Sequence, residues 1–272
     1  MGRWGTGLYE DDSNLNFLYL HVITPLKHKL AFLLSPEEAR TSYNWIIEIM
    51  TIVETMLLFD TRALDYELLL HLEISLGMAK RCREIVLKIW DTDWAGDRSK
   101  NFNKTQREQD RHILVSWLDR IVEIATLYDI ETDLEFDLSD FEPDVTLPYF
   151  SLDRLEVRPD VFSDRCGDVI GELLENLAQT VVFYTSPERR KESPYWLVYA
   201  PIIVSVDVMA FLCANYKISP SVTVETVDSW QNHFLDICKL ADALDSESHR
   251  NQMDAFVRLR KVAETYPPNR WS

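Results

Sequence analysis

Between Trp196 and Ala214 the chain runs through nineteen residues that carry a single charge, Asp207. A run of that length and polarity has two homes, the middle of a helical core or a bilayer. Asp207 and Pro201 decide between them. A carboxylate at the bilayer centre costs about 2.5–3.5 kcal/mol on insertion scales. No Lys/Arg cluster flanks the run except Arg189-Arg190-Lys191 before it. The run therefore predicts a buried central helix, and a membrane is disfavoured as a partner.

The rest of the chain supplies helices to surround it. Glycine is scarce, at 7 residues in 272, while 46% of the chain is hydrophobic, which excludes both disorder and a turn-dense β-sandwich. Helix starts are marked by Ser or Thr followed three residues later by Glu, at Ser35–Glu38 and Thr105–Glu108, a pairing that satisfies orphan backbone donors. Ser193-Pro194 and Ser219-Pro220 add caps with proline at the first helical position. The expected fold is all-α, with about seven helices in one multi-helical bundle or two packed helical halves.

The first helix is expected from about Asn14 to Leu34, kinked at Pro25. The second, Pro36 to about Phe59, has only the polar stripe Asn44, Glu48, Thr51 and Thr55 and should lie deep in the core. A third runs from about Arg62 to Ile89 with Leu64, Leu68, Leu72, Leu76 and Ala79 on one side. A fourth, Gln106 to Tyr128, turns Leu114, Leu118, Ile121 and Ala125 inward. In the second half, a helix from about Asp164 to Tyr184 carries Ile170, Leu173, Leu174, Leu177 and Val181. Gly167 and Gly171 lie one turn apart there and predict a close backbone neighbour. Val227, Trp230, Phe234, Ile237, Ala241 and Leu244 form one apolar seam, matched by Met253, Phe256, Leu259, Ala263 and Tyr266. These two helices should pair as an antiparallel hairpin over Asp245–Ser248, ended by Pro267-Pro268.

Between Asp129 and Asp144 the helical period breaks, and eight acidic residues occur without one Lys or Arg. Leu134, Phe136 and Leu138 alternate with Glu135 and Asp137, so a short extended segment is expected near 132–138. The reading of the chain is thus an N-terminal helical half, 1–128, an acidic irregular linker, 129–162, and a C-terminal helical half, 163–272, with one continuous domain as the alternative.

The acidic surplus, a formal charge of −17, disfavours nucleic acid and anionic lipid and favours a basic protein as partner. Cys82, Cys166, Cys213 and Cys238 show no metal-ligand spacing and read as reduced core residues. Without a signal pattern at the N-terminus, the expected location is cytoplasmic.

The chain opens Met-Gly-Arg-Trp-Gly-Thr-Gly-Leu-Tyr-Glu-Asp-Asp-Ser. Three glycines permit unusual backbone angles, Trp4 brings a large surface to bury, and Asp11, Asp12 and Ser13 suit a helix N-terminus. Trp4, Gly5, Gly7, Asp11 and Asp12 thus form a structural plug, with Glu10, Asp11 and Asp12 as the alternative ligand site. At Met1, Gly2, Trp4, Gly5, Gly7, Tyr9 and Asp12 the chain resembles a bacterial family, a domain of unknown function whose members begin Met-Gly-x-Trp-Gly-x-Gly. The resemblance spans about the first twenty residues. It implies a bacterial, helical, cytoplasmic protein and carries over no catalytic residues. Gly2 and Thr6 also fit the myristoylation pattern, against which the acidic charge argues.

Arg107 and His112 have the Arg-x4-His spacing of helical ribonucleases of the HEPN type, which the chain resembles in those two residues only. Five residues apart, they project about 140° from each other on a straight helix, and Glu108 and His112 form the competing one-turn pair. Asp91–Asp97 resembles a calcium loop, but Ala95 and Phe102 occupy ligand positions, so a helix-ending loop is expected. No paired-histidine metal motif, nucleotide loop or nucleophile elbow is present, so no metal or cofactor is expected. The leading expectation is a binding module, an immunity-type or regulatory partner of a basic protein, using Glu131, Asp133, Glu135, Asp137, Asp140, Glu142 and Asp144. The alternative is a helical ribonuclease or other hydrolase using Arg107 and His112.

Overall fold

The computed structural model describes residues 12–33, 48–49, 51–53, 55–56, 59, 75–96, 104–127, 167–186, 195–240 and 247–268. These are overwhelmingly helical, without strands, and the fold is all-α. The helices are α1 (Asp12–Leu18), α2 (Thr24–Leu33), α3 (Leu76–Gly96), α4 (Lys104–Leu127), α5 (Gly167–Tyr184), α6 (Tyr195–Tyr216), α7 (Val224–Leu240) and α8 (Glu247–Thr265). A π-helical segment, Tyr19–Ile23, joins α1 to α2 without a break. The expected extended segment at 132–138 and the plug residues Trp4, Gly5, Gly7 and Asp11 lie outside the described residues.

The chain divides into two compact units, Met1–Val22 with Val145–Ser272, and Ile23–Asp144. In the first unit α6 is the hub. It packs against α8, α5, α1 and α7, and every residue from Val198 to Ala210 is buried. The stretch Val198–Tyr216 is long and apolar enough to cross a membrane, yet 83% of its apolar window is buried inside the structure. It is the central helix that Asp207 and Pro201 favour, its apolar surface spent on neighbouring helices.

Two cross-helix pairs set the direction of α8 against α6. Gln252 Nε2 donates to the Tyr199 hydroxyl, and Arg258 bonds Asp207. Numbers rise together along both helices, so α6 and α8 run parallel. Between α7 and α8 the order reverses. Arg260 Nε lies 3.0 Å from Asp228 Oδ1, and the Phe234 and Phe256 rings are 5.5 Å apart. The antiparallel α7–α8 pair thus forms as its matching seams predict, with Val227, Trp230, Phe234, Ile237, Phe256, Leu259 and Ala263 buried. Met253 is only half-buried, and Ala241 and Leu244 lie outside the described residues.

Helix ends depart from the expectations where local hydrogen bonding competes. α6 closes with Ile218 N–H donating to the Cys213 carbonyl at 3.2 Å. Lys217 between them takes a left-handed φ of 55°. This is the six-residue C-terminal closure usually reserved for glycine. Ser219-Pro220 does not cap α7. The Ser219 hydroxyl accepts from Ser221 N–H instead, and Thr223 is the cap, its hydroxyl accepting from Thr226 N–H at 3.2 Å. The third helix begins only at Leu76, because the Ser75 hydroxyl and carbonyl accept from Met78 and Ala79 N–H. It then continues through Asp91 to Gly96, so the calcium-loop look-alike is mostly helix. α4 starts at Lys104, which puts Thr105 inside the helix rather than at its cap.

Two further corrections concern backbone shape. The kink expected at Pro25 is a π segment. The proline ring would collide with the carbonyl four residues earlier, that of His21, and His21 lies in the wider π turn. At Gly171 a Cβ would meet nothing within 4 Å, so among the described residues no neighbouring backbone approaches there. The α5 stripe itself is as expected, with Ile170, Leu173, Leu174, Leu177 and Val181 all buried.

In the unit Ile23–Asp144, α3 packs on α4 and Leu118, Ile121 and Ala125 are buried. Residues 48, 49, 51–53, 55, 56 and 59 are helical and buried throughout, the polar Glu48, Thr51 and Thr55 included. Thr55 solves its burial locally, donating to the Thr51 carbonyl at 2.7 Å.

Candidate functional site

Burying a charge is costly unless it is paired, so buried ionisable groups mark the places where a helical core carries chemistry. Among the described residues each unit has such a place. In the unit of α6 it is Asp207, fully buried, whose Oδ1 lies 2.6 Å from Arg258 Nη2. About two helical turns further back, the buried Tyr199 hydroxyl accepts from the buried Gln252 amide, and the Tyr199 ring sits 5.8 Å from Phe234. These contacts stitch α6 to α8 along a shared polar line about 12 Å long, at 1.5 Å per residue.

In the other unit it is the pair Lys29 and Glu48, with Lys27 and His28 adjacent to Lys29 in sequence. Lys29 Nζ lies 3.9 Å from Glu48 Oε2, an ion pair with both side chains largely buried, and Lys27 is buried beside them in sequence. His28 is half-buried. Burial first and the Lys27 ammonium second hold its pKa below the ordinary 6.5, which favours the neutral imidazole. Among the described residues no group of three or more His, Cys, Asp or Glu is arranged to hold a metal ion.

The cysteines among the described residues, Cys82, Cys213 and Cys238, are buried thiols outside any disulfide. Burial pushes the Cys82 thiol up to about 12 and the Cys213 thiol higher still. Such thiols are inert packing groups rather than nucleophiles.

The residues singled out from sequence fare differently. Arg107 and His112 both lie on α4, and His112 is exposed. One helix cannot bring together two side chains five positions apart. Asp12 is the first residue of α1. Glu131, Asp133, Glu135, Asp137, Asp140, Glu142 and Asp144 lie outside the described residues, as do Trp4, Gly5, Gly7 and Asp11. Sequence reasoning marked Asp207 as an anomaly and Glu48 as part of a polar stripe. It missed their partners Arg258 and Lys29, because both stand in ordinary amphipathic surroundings. A charge in an apolar helix announces that a counter-charge exists, not where it is.

Exposed and half-exposed ion pairs complete the electrostatics. Arg83 meets Asp119 at 2.6 Å, Arg120 meets Glu123 at 2.8 Å, and Lys239 meets Asp236 at 3.3 Å. Arg260 is shared by Asp228 and Glu264 at 3.0 and 2.9 Å. Each such pair is worth little in stability, but together they spend basic side chains on the protein's own acids. At the start of α7 a hydrogen bond from its own backbone N–H and one from the Thr223 hydroxyl hold the exposed Glu225 carboxyl below the usual range. No known protein family, curated protein or solved structure matches the chain.

Proposed function

We propose that this protein is an acidic binding module, an immunity-type or regulatory partner of a basic protein. The observation that carries the reading is the balance of its charged side chains. Arg83, Arg120, Lys239, Arg258 and Arg260 are each engaged by a carboxylate of the same chain, and the chain has 45 acidic against 28 basic side chains, a surplus of −17. Such a field accelerates encounter with a cationic surface and repels nucleic acid. The stretch Asp129–Asp144, with eight acids and no base, is the densest source of that field and the proposed contact segment. The opening resemblance adds a bacterial, cytoplasmic setting.

The test is the salt dependence of binding to a basic protein, with Glu131→Gln, Asp133→Asn, Glu135→Gln and Asp137→Asn combined in one chain. The reading expects association rates that fall steeply with salt and fall again in the quadruple variant. Binding indifferent to both overturns it. Ribonuclease chemistry at Arg107 and His112 is the competing reading. It requires RNA cleavage by the native chain that disappears in His112→Ala.

A further inference from the structure

One face of α5 is spent on the core. Ile170, Leu173, Leu174, Leu177 and Val181 are buried, and the helix packs on α6. On the opposite face Glu175, Gln179, Val182 and Phe183 are exposed, spaced so that they lie together along the helix. Val182 is 57% and Phe183 47% exposed. A large apolar side chain alone at the surface is ordinary. Among the described residues, however, these are the only two exposed large hydrophobics that are neighbours in the chain.

Charge is laid out along the same helix with a direction. Its acids, Asp168, Glu172 and Glu175, all fall in its first half, and it contains no Lys or Arg. Gln179 Nε2 donates to Glu175 Oε1 at 3.4 Å, a contact with a neutral amide that leaves the carboxylate its charge. Beyond the helix comes Arg189-Arg190-Lys191, the one place in the chain with three consecutive basic residues. An acidic half, an apolar step and a basic run thus follow one another in sequence.

That order is self-complementary when two copies are read antiparallel. In a two-fold contact residue i of one copy meets residue j of the other, and j meets i. With the axis between Val182 and Phe183, the apolar step meets its own copy. Glu175, seven positions before Val182, then corresponds to Arg190, seven positions after Phe183. Glu175 stands back from Val182 by about 11 Å at the helical rise, and seven residues of chain can reach up to about 24 Å, so Arg190 has the length to meet it. We propose that the exposed face of α5 is the seam of a homodimer, with Val182 and Phe183 at its centre and Glu175 of each copy paired with Arg190 of the other. An anionic membrane fits the patch less well. Glu188 and Glu192 flank the three bases, which fall short of the roughly four to eight that recognise acidic lipid. The charge of −17 on each copy opposes association at long range, and salt screens that repulsion beyond about 8 Å at physiological ionic strength.

The test is sedimentation velocity of the full chain at physiological ionic strength, up to about 100 μM. The native chain should form a dimer in that range. Phe183→Asp, a change at an exposed position, should raise the dimer dissociation constant at least about tenfold. Glu175→Arg should weaken the dimer, and so should Arg189→Glu combined with Arg190→Glu. All three changes in one chain should bring the constant back to within about threefold of the native value, a rescue that damage to folding would not give. A native chain that stays monomeric, a dimer indifferent to Phe183→Asp, or a loss that the charge exchange does not recover overturns the proposal. So does a monomer that pellets with phosphatidylserine vesicles through Phe183, which would make the patch a lipid contact.

Discussion

Arg258 Nη2 lies 2.6 Å from Asp207 Oδ1, and the two ends of this ion pair live in different media. The Asp207 side chain is fully buried while that of Arg258 is 49% exposed. Removing the two partners should therefore have unequal effects. Arg258→Ala strands a carboxylate in the core and should cost about 2–3 kcal/mol, the lower end for a broken buried pair because water reaches the guanidinium. Asp207→Asn leaves a cation that solvent can take over, so it should cost less. Urea unfolding of both variants checks the order, and a larger loss for Asp207→Asn would contradict it.

Gly171 sits inside α5 with open space where a Cβ would stand. Gly171→Ala removes backbone freedom from the unfolded chain without a clash in the folded one, and should raise stability by about 0.5–1 kcal/mol. Thermal unfolding reads this directly. A loss of stability would mean that a neighbour does approach Gly171.

Lys217 closes α6 at a φ of 55°, a conformation that costs a residue with a Cβ about 1–2 kcal/mol. Lys217→Gly should recover part of that, a gain of about 1 kcal/mol by chemical denaturation. Lys217→Ala keeps the Cβ and should bring no comparable gain.

His28 has a folded pKa below its ordinary 6.5, through burial and then through Lys27. Between the two values the unfolded chain binds the proton and the folded chain does not, so stability rises with pH across that window. As pH falls below about 6.5 the His28 contribution is progressively lost, and the loss levels off beneath the depressed folded value. His28→Gln should flatten this part of the stability profile. An unchanged slope between the native and variant chains would show that other groups supply it.

Much of the helical order was legible in the residues themselves. The apolar run around Val198–Tyr216 could only be a central helix once Asp207 and Pro201 were weighed. The stripes in α4, α5, α7 and α8 named their own buried faces, since period 3.6 follows from backbone geometry alone. Helix ends were less legible, because several hydroxyls could cap them and only one does. Thr223 rather than Ser219, and Ser75 where no break was expected, won by the geometry of chains already packed. The proposed acidic contact segment rests on composition.

What the sequence by itself determined is the class of fold, the central position of α6 and the need of Asp207 and Glu48 for counter-charges, because periodicity and desolvation are local properties. Tertiary structure decided that Arg258 and Lys29 meet those needs, that α8 runs parallel to α6, and that α1 packs on α6. Those outcomes join residues up to nearly 200 positions apart. They depend on which apolar faces fit together in three dimensions, and a one-dimensional pattern leaves that matching open.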